Sequence, residues 1–185
     1  MSNLNTLYLL VGSSGTGKTS IATALERKYG YRQLLSYTTR PMRNENETGH
    51  IFVNDTFFNQ LTDFIGYTVY NNYKYGATAD QADKSDIYVI DPAGVEFLKN
   101  HYNGKPVKVI TITSPVHTRI NRMENRGDSF PNIMERIVND IDFRNFVGDY
   151  NVENNDNTSL DDIVDKIHEY IEKTENEYGK DNSWE

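Results

Sequence analysis

Short apolar runs alternate with longer amphipathic segments along the chain, and glycine, proline and asparagine stand between them. Leu4–Val11 is mostly apolar and is followed by Gly12, the pattern of a buried strand. Thr19–Tyr29 places Ile21, Ala22, Leu25 and Tyr29 on one helical face, with Gly30 at the C′ position. Gln33–Tyr37 predicts a second strand. Residues 38–50 are polar and contain Pro41 and Gly49, which predicts a loop. Ile51–Val53 and Phe64–Tyr70 predict short strands, with Asn54 or Asp55 capping a brief helix between them.

The second half repeats the alternation. Asp86–Ile90 reads as a buried strand, and Asp91-Pro92 opens a helix to about Tyr102. Pro106–Thr113 is the clearest strand. Ser114 as N-cap and Pro115 at the first helical position open a helix to Arg126. Ile133–Phe146 is a further helix and Tyr150–Glu153 a last short strand. Ser159-Leu-Asp-Asp162 resembles a capping box that opens a final helix to Tyr178, with 179–185 expected to fray as a disordered tail. Ile163, Ile167, Tyr170 and Ile171 form its apolar stripe. Strands alternating with helices predict an α/β fold, a parallel sheet with helices on both faces. Ligands on such sheets bind beyond the carboxyl ends of the strands.

Composition narrows the chemistry. The 185 residues fit one domain, and the absence of cysteine excludes disulfides, cysteine-ligated zinc and cysteine nucleophiles. No apolar run reaches the roughly 18–20 residues of a membrane span, and Met-Ser-Asn-Leu-Asn lacks the basic region of a signal peptide. A cytoplasmic protein with no membrane partner is expected. The net charge of −8 argues against nucleic acid as a partner. Residues 149–185 carry 12 acids and 3 bases, so the acidity is C-terminal and the preceding residues are nearly balanced. No exposed apolar stripe is evident that would specify an oligomeric state.

The strongest chemical signal is Gly12-Ser13-Ser14-Gly15-Thr16-Gly17-Lys18-Thr19, followed by Ser20, a full match to the phosphate-binding loop between a strand and a helix. Its glycines let backbone N–H groups cradle phosphates. Lys18 would reach the β and γ phosphates of ATP, and the Thr19 hydroxyl would ligate Mg²⁺. Asp91, ending a strand, suits either a metal-assisting carboxylate or a helix cap. Arg119, Arg122 and Arg126 share a helical face, with Arg136 beyond them. A solvated face is the reading for Arg119 and Arg122, whereas Arg126 ends the helix at a Gly-Asp turn that could swing it inward. Arg40 and Arg43 lie beyond a strand and suit a second anion site.

Taken together, these residues resemble the guanylate kinase family, whose members pass the γ-phosphoryl of ATP to GMP. The resemblance spans nearly the whole chain. It rests on the phosphate loop, Ser36-x-Thr-Thr-Arg40 with Arg43, Phe52-Val53, Phe58, Tyr75-Gly76 and Asp91-Pro-Ala-Gly94. It continues through Arg122-x-x-x-Arg126-Gly127-Asp128, Arg136 and Tyr150-x-Val-x-Asn154-Asn155. It implies a core at about 1–35, 85–118 and 138–178, an inserted acceptor-binding subdomain at about 36–84 and a helical lid at about 119–137. It implies that Ser36, Arg40, Arg43 and Tyr75 hold the acceptor's phosphate, and that Lys18, Arg126 and Arg136 clamp the transferring group.

The departures concentrate on base recognition. Gly66 stands where the family places a guanine-reading glutamate, His50 replaces a tyrosine, Ala77 replaces a serine or threonine, and Val89 replaces the first of two aspartates. His50, Tyr67, Thr68 and Asp91 are then the candidates for reading the base. A nucleoside monophosphate kinase acting on GMP or dGMP with Mg²⁺ is the leading expectation. Ribose 1,5-bisphosphate phosphokinases share features with Thr39-Arg40-Pro41, Glu45-Asn46 and His50-Ile51, and a non-catalytic binding module is the third reading.

Overall fold

A computed structural model describes residues 4–42, 45, 47, 49–70, 72–143 and 145–181. Five strands form a parallel sheet: β1 (Leu7–Val11), β2 (Gln33–Leu34), β7 (Ile87–Val89), β8 (Val107–Thr113) and β9 (Tyr150–Glu153), in the order β2-β7-β1-β8-β9. Every residue of β1 is buried, because the strand is central and covered on both faces. That explains its unbroken apolar sequence. On one face, α1 (Lys18–Tyr29) and α7 (Leu160–Asp181) pack Ile21, Leu25, Ile163, Ile167 and Ile171 against Tyr8 and Leu10. On the other, Val95 and Leu98 of α4 (Pro92–His101) pack against Leu7, Leu9 and Val109.

A second, four-stranded sheet holds the inserted segment. Its strands are β3 (Tyr37–Thr38), β4 (Ile51–Phe52), β5 (Phe64–Tyr70) and β6 (Tyr73–Thr78), ordered β4-β3-β6-β5. Asn54 caps the short α2 (Asp55–Phe58), its side chain accepting from the Phe57 N–H at 2.8 Å. A Thr78–Gln81 capping box starts α3 (Ala79–Asp83). Neither β6 nor α3 is foreseen from the sequence, because Tyr-Lys-Tyr-Gly-Ala-Thr alternates poorly and buries only its last three residues. The polar 38–50 stretch joins β3 to β4 and, among its described residues, lacks regular structure beyond Thr38.

Several boundaries shift. The single strand expected at Gln33–Tyr37 divides into β2 and β3, which belong to different sheets. The helix after β8 is α5 (Val116–Asn125), capped from Pro115 rather than Ser114, whose hydroxyl instead donates to the Asn154 carbonyl at 2.6 Å. The expected Ile133–Phe146 helix is α6 (Phe130–Asn139) followed by a 3₁₀ turn at Asp140–Phe143, because Pro131 sets the first turn. The last helix runs to Asp181, and the remainder of the expected tail lies outside the described residues. An apolar stripe does exist: Phe130, Met134 and Val138, spaced by one turn on α6, are all exposed. In the sequence alone such a stripe is indistinguishable from a core-facing one.

Candidate active site

The phosphate loop links β1 to α1. Gly17 precedes the helix at φ 91°, a conformation that favours glycine, and it offers no side chain to cap the helix. The first N–H groups of α1 therefore stay open to an anion. Gly12 is equally constrained, since a Cβ there would stand 2.3 Å from the Ile112 carbonyl oxygen. Thr19 and Ser20 lie exposed in the first turn. The Lys18 ammonium turns back and donates to the carbonyls of Gly12 and, at 3.0 Å, Ser13. Burial lowers its pKa to about 8; Asp140 and Asp91 act upward, Arg119 and Arg126 downward.

The expectation of a solvated face at Arg119 and Arg122 is overturned. Arg119 is buried: its Nε donates to the Ser14 carbonyl at 2.7 Å and its guanidinium pairs with the buried Asp140. Asp140 in turn accepts from the Ser14 N–H at 3.1 Å. Arg122 donates to the Asn154 side-chain oxygen at 3.1 Å, and the Asn154 amide donates to the Thr16 carbonyl at 2.9 Å. Two arginines thus brace the phosphate loop from behind. The signal missed in the sequence was the acceptors, Asp140 and Asn154, which lie 21 and 32 residues away.

A cleft of about 800 Å³ runs from the phosphate loop to the small sheet. It brings together Lys18, Arg136, Ser36, His50, Tyr75 and Asp91, with Gly12 and Ser14 at the loop end. Ser36 and His50 meet through Oγ and Nδ1 at 2.9 Å, and the His50 ring lies edge-on to Tyr75. Asp91 caps α4, accepting from the Gly94 N–H at 2.6 Å through Oδ1. Its cap role is therefore real, and Asp91 also lines the cleft. Ser13 and Thr16 line a smaller adjoining cavity.

Other expected residues stand outside the cleft. The Arg40 guanidinium binds both Glu47 oxygens, at 2.7 and 3.2 Å, and lies 5.3 Å from the Phe52 ring centre. The Glu47 hydrogen bonds hold its pKa above the usual arginine value. Arg126 pairs with Asp128 in an exposed turn, Nε donating at 2.7 Å. Arg43 lies outside the described residues. Sequence reasoning also missed Tyr88, whose ring is buried under the cleft.

This arrangement offers one anion cradle built of backbone N–H groups and a second polar pocket across a shared cleft. The sequence profile described as guanylate kinase matches residues 4–174. A guanylate kinase from Helicobacter pylori strain J99 is 31 % identical, the match covering 75 % of this chain and 73 % of that protein. Among solved structures, a guanylate kinase from Anaplasma phagocytophilum superposes with a TM-score of 0.60 at 16 % identity, covering 95 % of this chain and 88 % of that one. A gluconokinase from Sinorhizobium meliloti 1021 gives 0.54 at 14 % identity, over 98 % and 99 % of the two chains. These two likenesses are likenesses of fold.

Proposed function

Because the chain belongs to the guanylate kinase family, we propose that it transfers the γ-phosphoryl of ATP to GMP or dGMP. The observation that carries this reading is the shared cleft, in which Lys18 and the phosphate loop face Ser36, His50 and Tyr75. An oxygen of the acceptor's phosphate attacks the γ phosphorus as the bond to the β-bridging oxygen breaks, and that oxygen leaves with ADP. Lys18, Arg136 and the α1 N-terminus stabilise the charge that spreads over the transferring group. The Ser36 hydroxyl, oriented by His50, and Tyr75 hold the acceptor's phosphate.

Arg40 can join them by exchanging Glu47 for phosphate, an acceptor with the same two-oxygen geometry. In this reading the lid is short. Arg119 and Arg122 tie α5 to the core, so the turn at Gly127 and α6 are what move, carrying Arg126 and Arg136 inward.

Mg²⁺ fits the residues present. The exposed Thr19 hydroxyl has no hydrogen-bond partner among the described residues, and they contain no cluster of three or more acidic or histidine ligands. A hydroxyl left open in this way suits an ion held by one or two protein groups plus substrate phosphates. When bound with ATP, it would neutralise charge on the β and γ oxygens.

Neither alternative reading is favoured: the family match includes the acceptor segment, and Lys18 and Arg136 line the cleft. No helix among the described residues is long and apolar enough to cross a membrane, and the substrate pair suits the cytoplasm. The test is ADP release with Mg-ATP across GMP, dGMP, AMP, CMP, UMP, dTMP and ribose 1,5-bisphosphate. Turnover is expected with GMP or dGMP; turnover with the sugar bisphosphate alone would overturn the reading.

The lowered pKa of Lys18 sets a pH dependence for ATP. Below pH 8 the ammonium is charged and meets the phosphates at full strength; above it the free protein loses that charge. Bound phosphates favour the charged form, so binding takes up a proton on the alkaline side. ATP affinity is expected to be about tenfold weaker at pH 9 than at pH 7, by calorimetric titration. Lys18→Arg, which stays charged, should flatten that slope.

A further inference from the structure

Tyr88 on β7 and Gly66 on β5 belong to different sheets and meet at the floor of the cleft. A Cβ at Gly66 would stand 3.5 Å from the Tyr88 hydroxyl. The pairing of β5 with β6 slips between Phe64 and Gly66, and this bulge shapes the strand locally where it faces Tyr88. Tyr88 is only 9 % exposed, yet it lines the cleft with Thr68, Tyr75 and Asp91. Its hydroxyl has no hydrogen-bond partner among the described residues. A buried ring whose polar tip opens unpaired into a cleft is arranged to meet a ligand. Burial, reinforced by Asp91, pushes the phenol pKa up, so the tip remains a neutral O–H.

We propose that Tyr88 reads the acceptor's base, its hydroxyl donating to the carbonyl of a 6-oxopurine that enters over Gly66. The inference rests on the nucleotide kinase reading. A glutamate at position 66 would present acceptors only, matched to the N–H groups of guanine. Gly66 removes that carboxylate, and Ala77, fully buried, supplies no hydroxyl. A phenol at 88 restores a proton donor from the opposite wall and needs nothing from the 2-amino group. Hypoxanthine and guanine nucleotides should then serve nearly alike.

The experiment is steady-state kinetics of the full chain and of Tyr88→Phe, which keeps the ring, with GMP and IMP as acceptors. The parent should use IMP within about threefold of GMP, because the hydrogen bond it forgoes is not one this site makes. In Y88F the KM for both should rise about tenfold, the loss expected of one hydrogen bond. Its kcat, KM for ATP and melting temperature should stay near the parent's. An unchanged KM for GMP and IMP would overturn the assignment, as would a parallel loss of kcat and ATP affinity, which marks a purely structural role. A parent that phosphorylates neither nucleotide would overturn the kinase reading and, with it, the base reader.

Discussion

Lys18→Ala is expected to lower turnover by roughly 10²–10³-fold, the loss typical of removing one preorganised donor from a transition-state charge. The fold should survive. Among the described residues, the Lys18 ammonium donates only to its own loop's carbonyls, and burial already disfavours its charge. Deleting it therefore removes two hydrogen bonds and one poorly solvated cation together, effects that oppose each other. Circular dichroism melts should show a midpoint close to the parent's while ADP release collapses. Near-normal turnover in this variant would overturn the mechanism.

Breaking the Arg119–Asp140 pair should be the most damaging change to stability. Both partners are at most 8 % exposed, and Asp140→Ala leaves the guanidinium buried without its counter-ion. Removing one partner of such a pair costs about 3–5 kcal/mol. For a domain of this size that lowers the melting temperature by roughly 6–20 °C. Replacing both partners by leucine should recover most of that loss, because no charge is left stranded.

ATP binding should not recover with it. The Ser14 N–H and carbonyl would still lack the groups that hold them at 3.1 and 2.7 Å. A double variant that regains its melting temperature and its ATP affinity together would show that the pair is structural only.

The phosphate loop was legible because its eight positions are consecutive and its strand and helix flank it directly. The Asp91 cap was legible for the same reason, its partner lying three residues on. Arg119 was not. A charged residue on an amphipathic helix reads as solvated, and only the fold shows that Asp140 and the Ser14 carbonyl approach it. Arg40 was read as a free phosphate ligand, although Glu47 stands seven residues away in the same polar loop. Tyr88 was read as one apolar position of a buried strand. Its hydroxyl became visible only through Gly66, which belongs to the other sheet.

Synthesis delivers β1 first and its partners late. The strand that carries the phosphate loop pairs with strands beginning at Ile87 and Val107, and the Asp140 carboxylate that holds Ser14 follows it by 126 residues. At translation speeds of about 5–20 residues per second, that carboxylate emerges roughly 6–25 s after the loop. For the first part of that interval, until Ile87–Val89 and Val107–Thr113 have been made, an apolar strand waits without either neighbour, and long-range parallel pairing is intrinsically slow. The segment most recognisable in the sequence, made before the strands it pairs with, is thus among the last to become competent to bind nucleotide. Nucleotide capture by nascent chains should begin only once the region beyond Asp140 is free to fold.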